Sequence, residues 1–297
     1  MARTPPYIAL GGANIMVINF NQAAKFASRI ANVNDTNVQN TMKALSSGKR
    51  INAAKDDASG LAVSTKMKSM IRGLNQASHN IADGSSMLNV ASGYLQETTD
   101  ILQRIRELAV QSSNGIFSDD QRSMIQIEVS QLVSEVDRIA SSATFNGLQL
   151  FTGRFATGNE AITLHIGSQA DQQISFNLEA ATAEAFGLKN VQGQENSLSV
   201  SDPDSANMAI ATLDDALLKV SKQQALIGAN QNRMEVAKQG IDIASENMLA
   251  ANSRIEDADM AETMVDYTKN QVLTQASTSM LAQSVSINRD AVLKLLY

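Results

Sequence analysis

The side chains that could do chemistry in this chain are few and scattered. Its two histidines, His79 and His165, sit alone, one in a helical stretch and one in an alternating stretch. Neither has a second ligand at a recognised metal-binding spacing. There is no cysteine, which removes thiolate nucleophiles, disulfides and Cys-based metal sites, and suits a protein that enters an oxidising space. Ser46-Ser47-Gly48-Lys49-Arg50 is superficially like a phosphate loop. It lacks the glycine five residues upstream and has Arg where Ser or Thr would hold magnesium. Asp56-Asp57 and Asp214-Asp215 are adjacent carboxylates. Sequence neighbours on a helix point apart, so these read as solvated or ion-paired groups. No GxSxG and no GxGxxG occurs. The sequence therefore predicts no catalytic residue, no cofactor, no metal and no enzymatic activity.

What the chain does carry is periodicity. It has 297 residues, 43% of them hydrophobic but only 4% aromatic, with no Trp. Ala, Leu, Ile, Val and Met must do the packing, which suits thin helical seams better than a thick core. Met67, Leu74, Ile81, Leu88, Leu95, Leu102 and Ala109 recur every seven residues. Three residues after most of them stand Met70, Ala77, Gly84, Ala91, Thr98 and Ile105, mostly small side chains that allow close approach of a partner helix. Leu213, Val220, Ile227, Met234, Ile241, Met248 and Ile255 repeat the pattern. A heptad held this long predicts a left-handed supercoiled seam. Each segment makes a rod of about 70 Å, and the two should pack against each other. Met67, Met234 and Met248 fall on these seams, so they read as packing residues.

A third helix is expected from Asp119 to Ser142, with Ile125, Val129, Leu132, Val136 and Ile139 as its stripe and Ser118 as N-cap. The turn signal at Ser112–Gly115 predicts that it runs antiparallel to the first rod. The period then changes. Ile162, Leu164 and Ile166, and after them Ile174, Phe176 and Leu178, alternate with polar residues and predict a β-hairpin with one buried face. Asn146-Gly147 and Gly153 bracket a shorter apolar piece, Leu148 to Phe151. Residues 190–201 read as polar and irregular, and Pro203 opens the second rod.

The ends carry weaker stripes: Val17, Phe20, Ala24, Ala27, Ala31, Val38 and Leu45 at one, and Ala261, Val265, Val272, Ala276, Met280, Val285, Val292 and Leu296 at the other. Polar residues interrupt both. Neither end looks able to fold alone, and together they are expected to pair. Between the first stripe and the first rod lies LSSGKRINAAKDDASGLAVS, from Leu45 to Ser64. Gly48 and Gly60 are read there as residues freeing the backbone. The cluster of Lys49, Arg50, Lys55, Asp56 and Asp57 is read as keeping the joint solvated or paired with neighbours; a plain linker is the other reading. Net charge is −6 overall, with +4 in residues 1–60 and −10 beyond. That balance is too mild for a nucleic-acid partner. No apolar run approaches the roughly 20 residues needed to span a bilayer.

These residues resemble the bacterial flagellins. The matching blocks are MVINFNQAA at Met16, the Leu45–Ser64 stretch, IRGLNQASHNIADGSSMLNVASGYLQE at Ile71 and ILQRIRELAVQSSNG at Ile101. EVDRIASSATFNGLQLFTG at Glu135 and SRIEDADMAETMVDYTKNQVLTQASTSMLAQ at Ser253 complete the series, in the family's order. The family begins at the position matching Met16, so residues 1–15 are expected to be an upstream extension. The resemblance implies a mainly α fold of elongated antiparallel coiled-coil rods with a small β-hairpin region. Residues 16–60 and 258–297 would form a paired terminal-helix domain, the inner tube of a filament. Residues 61–257 would form the rod domain, with hairpins around 143–190, and the outer variable domain would be essentially absent.

The resemblance also implies a structural subunit, exported unfolded and polymerised at the growing tip of the flagellar filament. Polymerisation would use the terminal stripes at Val17, Phe20, Ala24, Ala27, Val38, Leu45, Val265, Val272, Met280, Val292 and Leu296. Implied partners are other flagellin copies, a secretion chaperone, the filament cap, hook–filament junction proteins and sheath proteins. Arg104, Leu108 and Glu128 match the flagellin surface read by an innate immune receptor, while Leu108 also suits packing between subunits. The short centre is similar to flagellins of filaments enclosed in the periplasm; a minimal surface filament is the alternative. The family often has a proline where this chain reads SINRDAVLKLL, so helix geometry after Val285 carries over less directly. Two rival readings are a hook–filament junction protein, which would cap growth, and a coiled-coil receptor segment, which would need a membrane anchor.

Overall fold

The computed structural model describes residues 21–189 and 198–296. Among these, five helices and two short antiparallel strand pairs form in the order α1 (Gln22–Ser47), α2 (Ala58–Ser113), α3 (Asp119–Ser142), β1 (Thr144–Phe145), β2 (Leu148–Gln149), β3 (Ile162–His165), β4 (Gln173–Phe176), α4 (Pro203–Glu256) and α5 (Met260–Leu296). The protein is mainly α. It divides into two compact units, one of Met1–Ser64 with Asn252–Tyr297 and one of Thr65–Ala251.

In the Thr65–Ala251 unit the heptad residues become the core. Leu74, Ile81, Leu88, Leu95, Leu102 and Ala109 of α2 are buried, as are Leu213, Val220, Ile227, Met234 and Ile241 of α4. Side-chain contacts fix the direction of the pair. Arg106 Nε lies 2.6 Å from Asp214, Gln231 Nε2 donates to Asn89 at 2.8 Å, and Ser78 Oγ donates to Asp242 at 3.1 Å. Numbers fall on α2 as they rise on α4, so the helices are antiparallel in one steady register. The small residues Ala77 and Ala91 are buried in the same cluster. Dispersion over such a long seam replaces the aromatic core the composition cannot supply.

The α3 helix spans the expected residues. Gln121 accepts the Ser118 backbone N–H at 3.0 Å, and Asp119 and Asp120 lie in the first turn, where acids suit the helix dipole. Its buried stripe is Ile125, Val129, Val133, Val136 and Ile139. Leu132, expected there, is only half-buried and Val133 takes the inner position. Buried Arg122 fixes the turn before α3. It donates to the Ser112 carbonyl at 3.0 Å and the Asn114 carbonyl at 3.2 Å, and pairs with Asp119 at 3.0 Å. The helix therefore folds back antiparallel on α2.

Asn146 and Gly147 both adopt positive φ, 48° and 79°. That is the geometry a two-residue hairpin loop demands, and it explains the Asn-Gly pair. The β3–β4 hairpin buries Ile174 and Phe176 on one face, with Leu178 buried just beyond β4. It sits directly on α2: a Cβ added at Gly73 would lie 2.9 Å from Ser168 Cβ, and one at Gly84 would lie 2.3 Å from Leu164 Cδ1. Asn80, between them, donates to the His165 carbonyl at 2.9 Å. The two glycines, three helical turns apart, leave room for the hairpin.

Candidate assembly surface

In the other unit, α1 and α5 pair antiparallel. Asn21 Nδ2 donates to the Ser284 carbonyl at 2.9 Å, and Asn34 Nδ2 to Ser277 Oγ at 2.8 Å. The α1 stripe of Ala24, Ala27, Ala31, Val38 and Leu45 is half-buried against this seam. On α5 the outcome is different. The side that loses solvent carries Thr263, Tyr267, Asn270, Thr274, Ser277, Leu281 and Ser284, mostly polar. Val265, Val272 and Met280 face outward and are 66%, 62% and 58% exposed. With exposed Ile287 they recur at intervals of seven or eight residues, one apolar stripe along the helix. Val285 is also exposed, on the flank. On α1, Phe26 and Val33 are exposed one heptad apart. Val17 and Phe20 lie outside the described residues; Val292 and Leu296 fall within α5, with their side chains outside the described set.

The Leu45–Ser64 stretch is a fastening rather than a solvated linker. Gly48, at φ 69°, caps α1 in the left-handed region and donates to the Ala44 carbonyl at 2.9 Å. The loop then bonds to the end of α4. Arg50 N–H donates to the Glu256 carbonyl at 2.7 Å, and Ala258 N–H to the Gly48 carbonyl at 3.0 Å. Buried Glu256 accepts from Ser64 Oγ at 2.6 Å and pairs with Lys49 Nζ at 2.8 Å. The two aspartates have separate duties. Asp56 accepts the backbone N–H groups of Asn52 and Ala53, which hold its carboxyl below the ordinary value. Asp57 accepts the Gly60 N–H at 2.8 Å at the start of α2. The role expected for Gly60 needs correcting. It is helical, and what it supplies is space, since a Cβ there would lie 2.3 Å from Asp57 Oδ2 and 2.7 Å from Ile51 Cδ1.

Arg104 and Glu128 meet across α2 and α3 at 2.9 Å on the exposed surface. That bond, with Glu107 beside it, raises the Arg104 pKa. Leu108 does not join them. It is 2% exposed and belongs to the core cluster. As a surface residue, or one packing between subunits, it is therefore corrected: it stands one residue before the heptad position of Ala109 and packs inside its own subunit. Among the described residues no group of three His, Asp or Glu is arranged to hold a metal, and no helix is long and apolar enough to cross a membrane. His79 and His165 are both exposed.

Sequence reasoning missed the polar seam of α5, because a search for apolar residues passes over Thr, Asn and Ser at the same period. It also missed Asn34, although Ala24, Ala27, Ala31, Asn34 and Val38 follow helical spacing and Asn34 sits in phase with the alanines.

Long antiparallel helices, with terminal helices that leave an apolar stripe uncovered, are the architecture of a subunit that packs against other chains. Residues 18–156 match the family model of the bacterial flagellin N-terminal helical region, and residues 210–296 that of the C-terminal helical region. A flagellar filament 30.7 kDa core protein of Treponema maltophilum is 56% identical over 91% of this chain and 96% of its own. The flagellar filament core protein flaB2 of Brachyspira hyodysenteriae is 50% identical over 93% and 99%. Among solved structures, Bacillus cereus FlgL shares the fold, at a TM-score of 0.50 and 17% identity over 63% of this chain and 99% of that one. This chain belongs to the bacterial flagellin family, the structural subunits of the flagellar filament.

Proposed function

We propose that the chain is a non-enzymatic filament subunit whose copies associate through the outward apolar stripe of α5. The observation that carries this is the exposure of Val265, Val272 and Met280 on a helix whose other side is already satisfied by α1. A surface of one copy meeting a different surface of the next, with a rotation that does not close, gives an open helical polymer. The α1 residues Ala24, Ala27, Val38 and Leu45 serve the pairing of α1 with α5, and so present that stripe. By sequence spacing alone, Val17, Phe20, Val292 and Leu296 continue these stripes. Residues 16–60 with 258–297 act as the inner domain and residues 61–257 as the surrounding one. A junction protein that caps growth is the rival; likeness to FlgL at 17% identity speaks for fold alone, whereas filament core proteins are 50% and 56% identical.

Relatives from Treponema and Brachyspira named as filament core proteins support a periplasmic filament for this chain. Its remaining partners would be a secretion chaperone on the C-terminal segment, the filament cap, the hook–filament junction and a sheath around the core. If an innate receptor reads the chain, Arg104 and Glu128 are the exposed part of that surface.

Electron microscopy of the purified chain, seeded or salted out, tests the reading. Long filaments are expected from the full chain and none from a version trimmed to residues 61–257. Fibres from the trimmed version, or capped short oligomers from the full chain, would overturn it. Labelling of filaments in cells only after the outer membrane is stripped tests the location.

A further inference from the structure

The turn between α2 and α3 carries the most exposed large apolar side chain among the described residues. Ile116 is 86% exposed. The turn that presents it is held from below. Buried Arg122 donates to the Ser112 and Asn114 carbonyls, the Ile116 N–H donates to Asn114 Oδ1 at 3.3 Å, and Ser112 Oγ donates to the Val200 carbonyl at 2.5 Å. A side chain on such a fixed turn loses little freedom when a partner covers it, which favours association. Asp119 and Asp120 follow at once, both exposed, so an apolar knob comes with an acidic collar.

The same unit holds a matching hollow. A cleft of about 410 Å3 opens beside α4. Phe186, 2% exposed, lies at it with Ala185 and Leu226, and Lys219 and Lys222 add positive charge. Glu179, the acid in the lining, already accepts from Thr157 Oγ at 2.5 Å. Lys219 Nζ donates to the Ala185 carbonyl at 3.0 Å. Lys222 and Asp120 are both exposed, and neither has an ion-pair partner among the described residues. A chain does not fill its own cleft. The Ser112–Val200 bond sets the turn level with the residues before α4, and from Pro203 to Lys219 the helix runs roughly 25 Å.

We propose that Ile116 of one copy inserts into the Phe186–Leu226 cleft of a neighbouring copy, with Asp120 facing Lys222. The inference rests on the filament of the proposed function and adds a contact that the α5 stripe does not make. Knob and cleft are different surfaces, so the contact is heterologous and propagates without closing on a pair. Covering the Ile116 side chain drives it. The opposite charges select the partner surface and its orientation.

The chain has no cysteine, so engineered pairs report cleanly. Full-length chains carrying Ile116→Cys with Leu226→Cys would be assembled and oxidised. A ladder of covalent oligomers is expected, because each copy bridges to the next. Either single variant alone should give no covalent dimer, and the two singles mixed should give dimers and nothing longer. Filaments without a ladder, a bridge within one chain, or dimers of Ile116→Cys alone each overturn the proposal and leave the α5 surface standing. Critical concentrations give a second reading that needs no cysteine. Ile116→Ser should raise the value about thirtyfold. Asp120→Lys and Lys222→Glu should each raise it severalfold, and the two together should return it to within about threefold of the parent. An unchanged value in Ile116→Ser, or a double charge variant that is not restored, overturns the proposal. A parent chain that makes no filaments by electron microscopy overturns the assembly reading and this contact with it.

Discussion

Replacing Val265 and Val272 with Ser and Met280 with Gln tests the assembly surface most directly. Ser and Gln match the helix propensities of Val and Met closely, so α5 should form as before. Burying a whole side chain of this size is worth roughly 1.5–3 kcal/mol. The three residues are 66%, 62% and 58% exposed in the subunit. Covering what remains in a polymer is therefore worth about 1–1.5 kcal/mol apiece, or about 3–4.5 kcal/mol together. Each 1.4 kcal/mol is about a factor of ten in an equilibrium constant, so the critical concentration for assembly should rise by roughly two to three orders of magnitude. Sedimentation of filaments against total protein measures it, and far-UV circular dichroism checks the helix content. A critical concentration within about threefold of the parent, at equal helicity, would refute the reasoning.

Glu256→Ala removes a buried carboxylate that accepts from Ser64 and pairs with Lys49, so it should cost about 2–3 kcal/mol in denaturant unfolding. Lys49 is half-exposed and recovers water, which keeps the loss below that of a fully buried pair. Gly73→Ala and Gly84→Ala should separate. Both gain about 1 kcal/mol of helix propensity, but Gly73 faces the Ser168 backbone at 3.0 Å, whereas Gly84 faces the movable end of Leu164. The first should destabilise net of that gain and the second should be near neutral; equal effects would contradict the hairpin seat. Asp56 has a folded pKa held low by two backbone N–H groups, so its contribution is present above the ordinary carboxylate pKa and lost as pH falls through the lowered value. Protection of the Asn52 and Ala53 amides against hydrogen exchange, taken relative to the intrinsic rate at each pH, should therefore fall in acid and in Asp56→Asn.

The rods were legible because a seven-residue repeat says both what is buried and where: Leu88, Leu95, Leu102, Leu213 and Val220 are wholly covered. The same holds for α3 and for the alternating strands around Ile174 and Phe176. Leu108 was harder. It stands one residue before the heptad position of Ala109, in a motif that a resemblance associates with a surface, yet it lies in the core cluster. The terminal helices were least legible. Apolar residues on α5 read as the side facing α1, yet that side is mostly Thr, Asn and Ser, with Tyr267 and Leu281 among them. A polar seam has no hydrophobic signature, and an unsatisfied stripe looks the same in sequence whether it faces its own chain or another. Gly60 failed for a related reason. Its necessity comes from Ile51 and Asp57 crowding it, a distance that sequence does not carry.

The loop that crosses from Gly48 to the start of α5 has a mechanical consequence. Its two backbone hydrogen bonds, Arg50 to Glu256 and Ala258 to Gly48, lie side by side with the Lys49–Glu256 pair. Tension drawn along α1 is thereby handed across to the start of α5 before it reaches the covalent path through α2. A filament of such subunits thus carries, in each of them, a short weld that shares strain between the incoming and outgoing strands of the polypeptide.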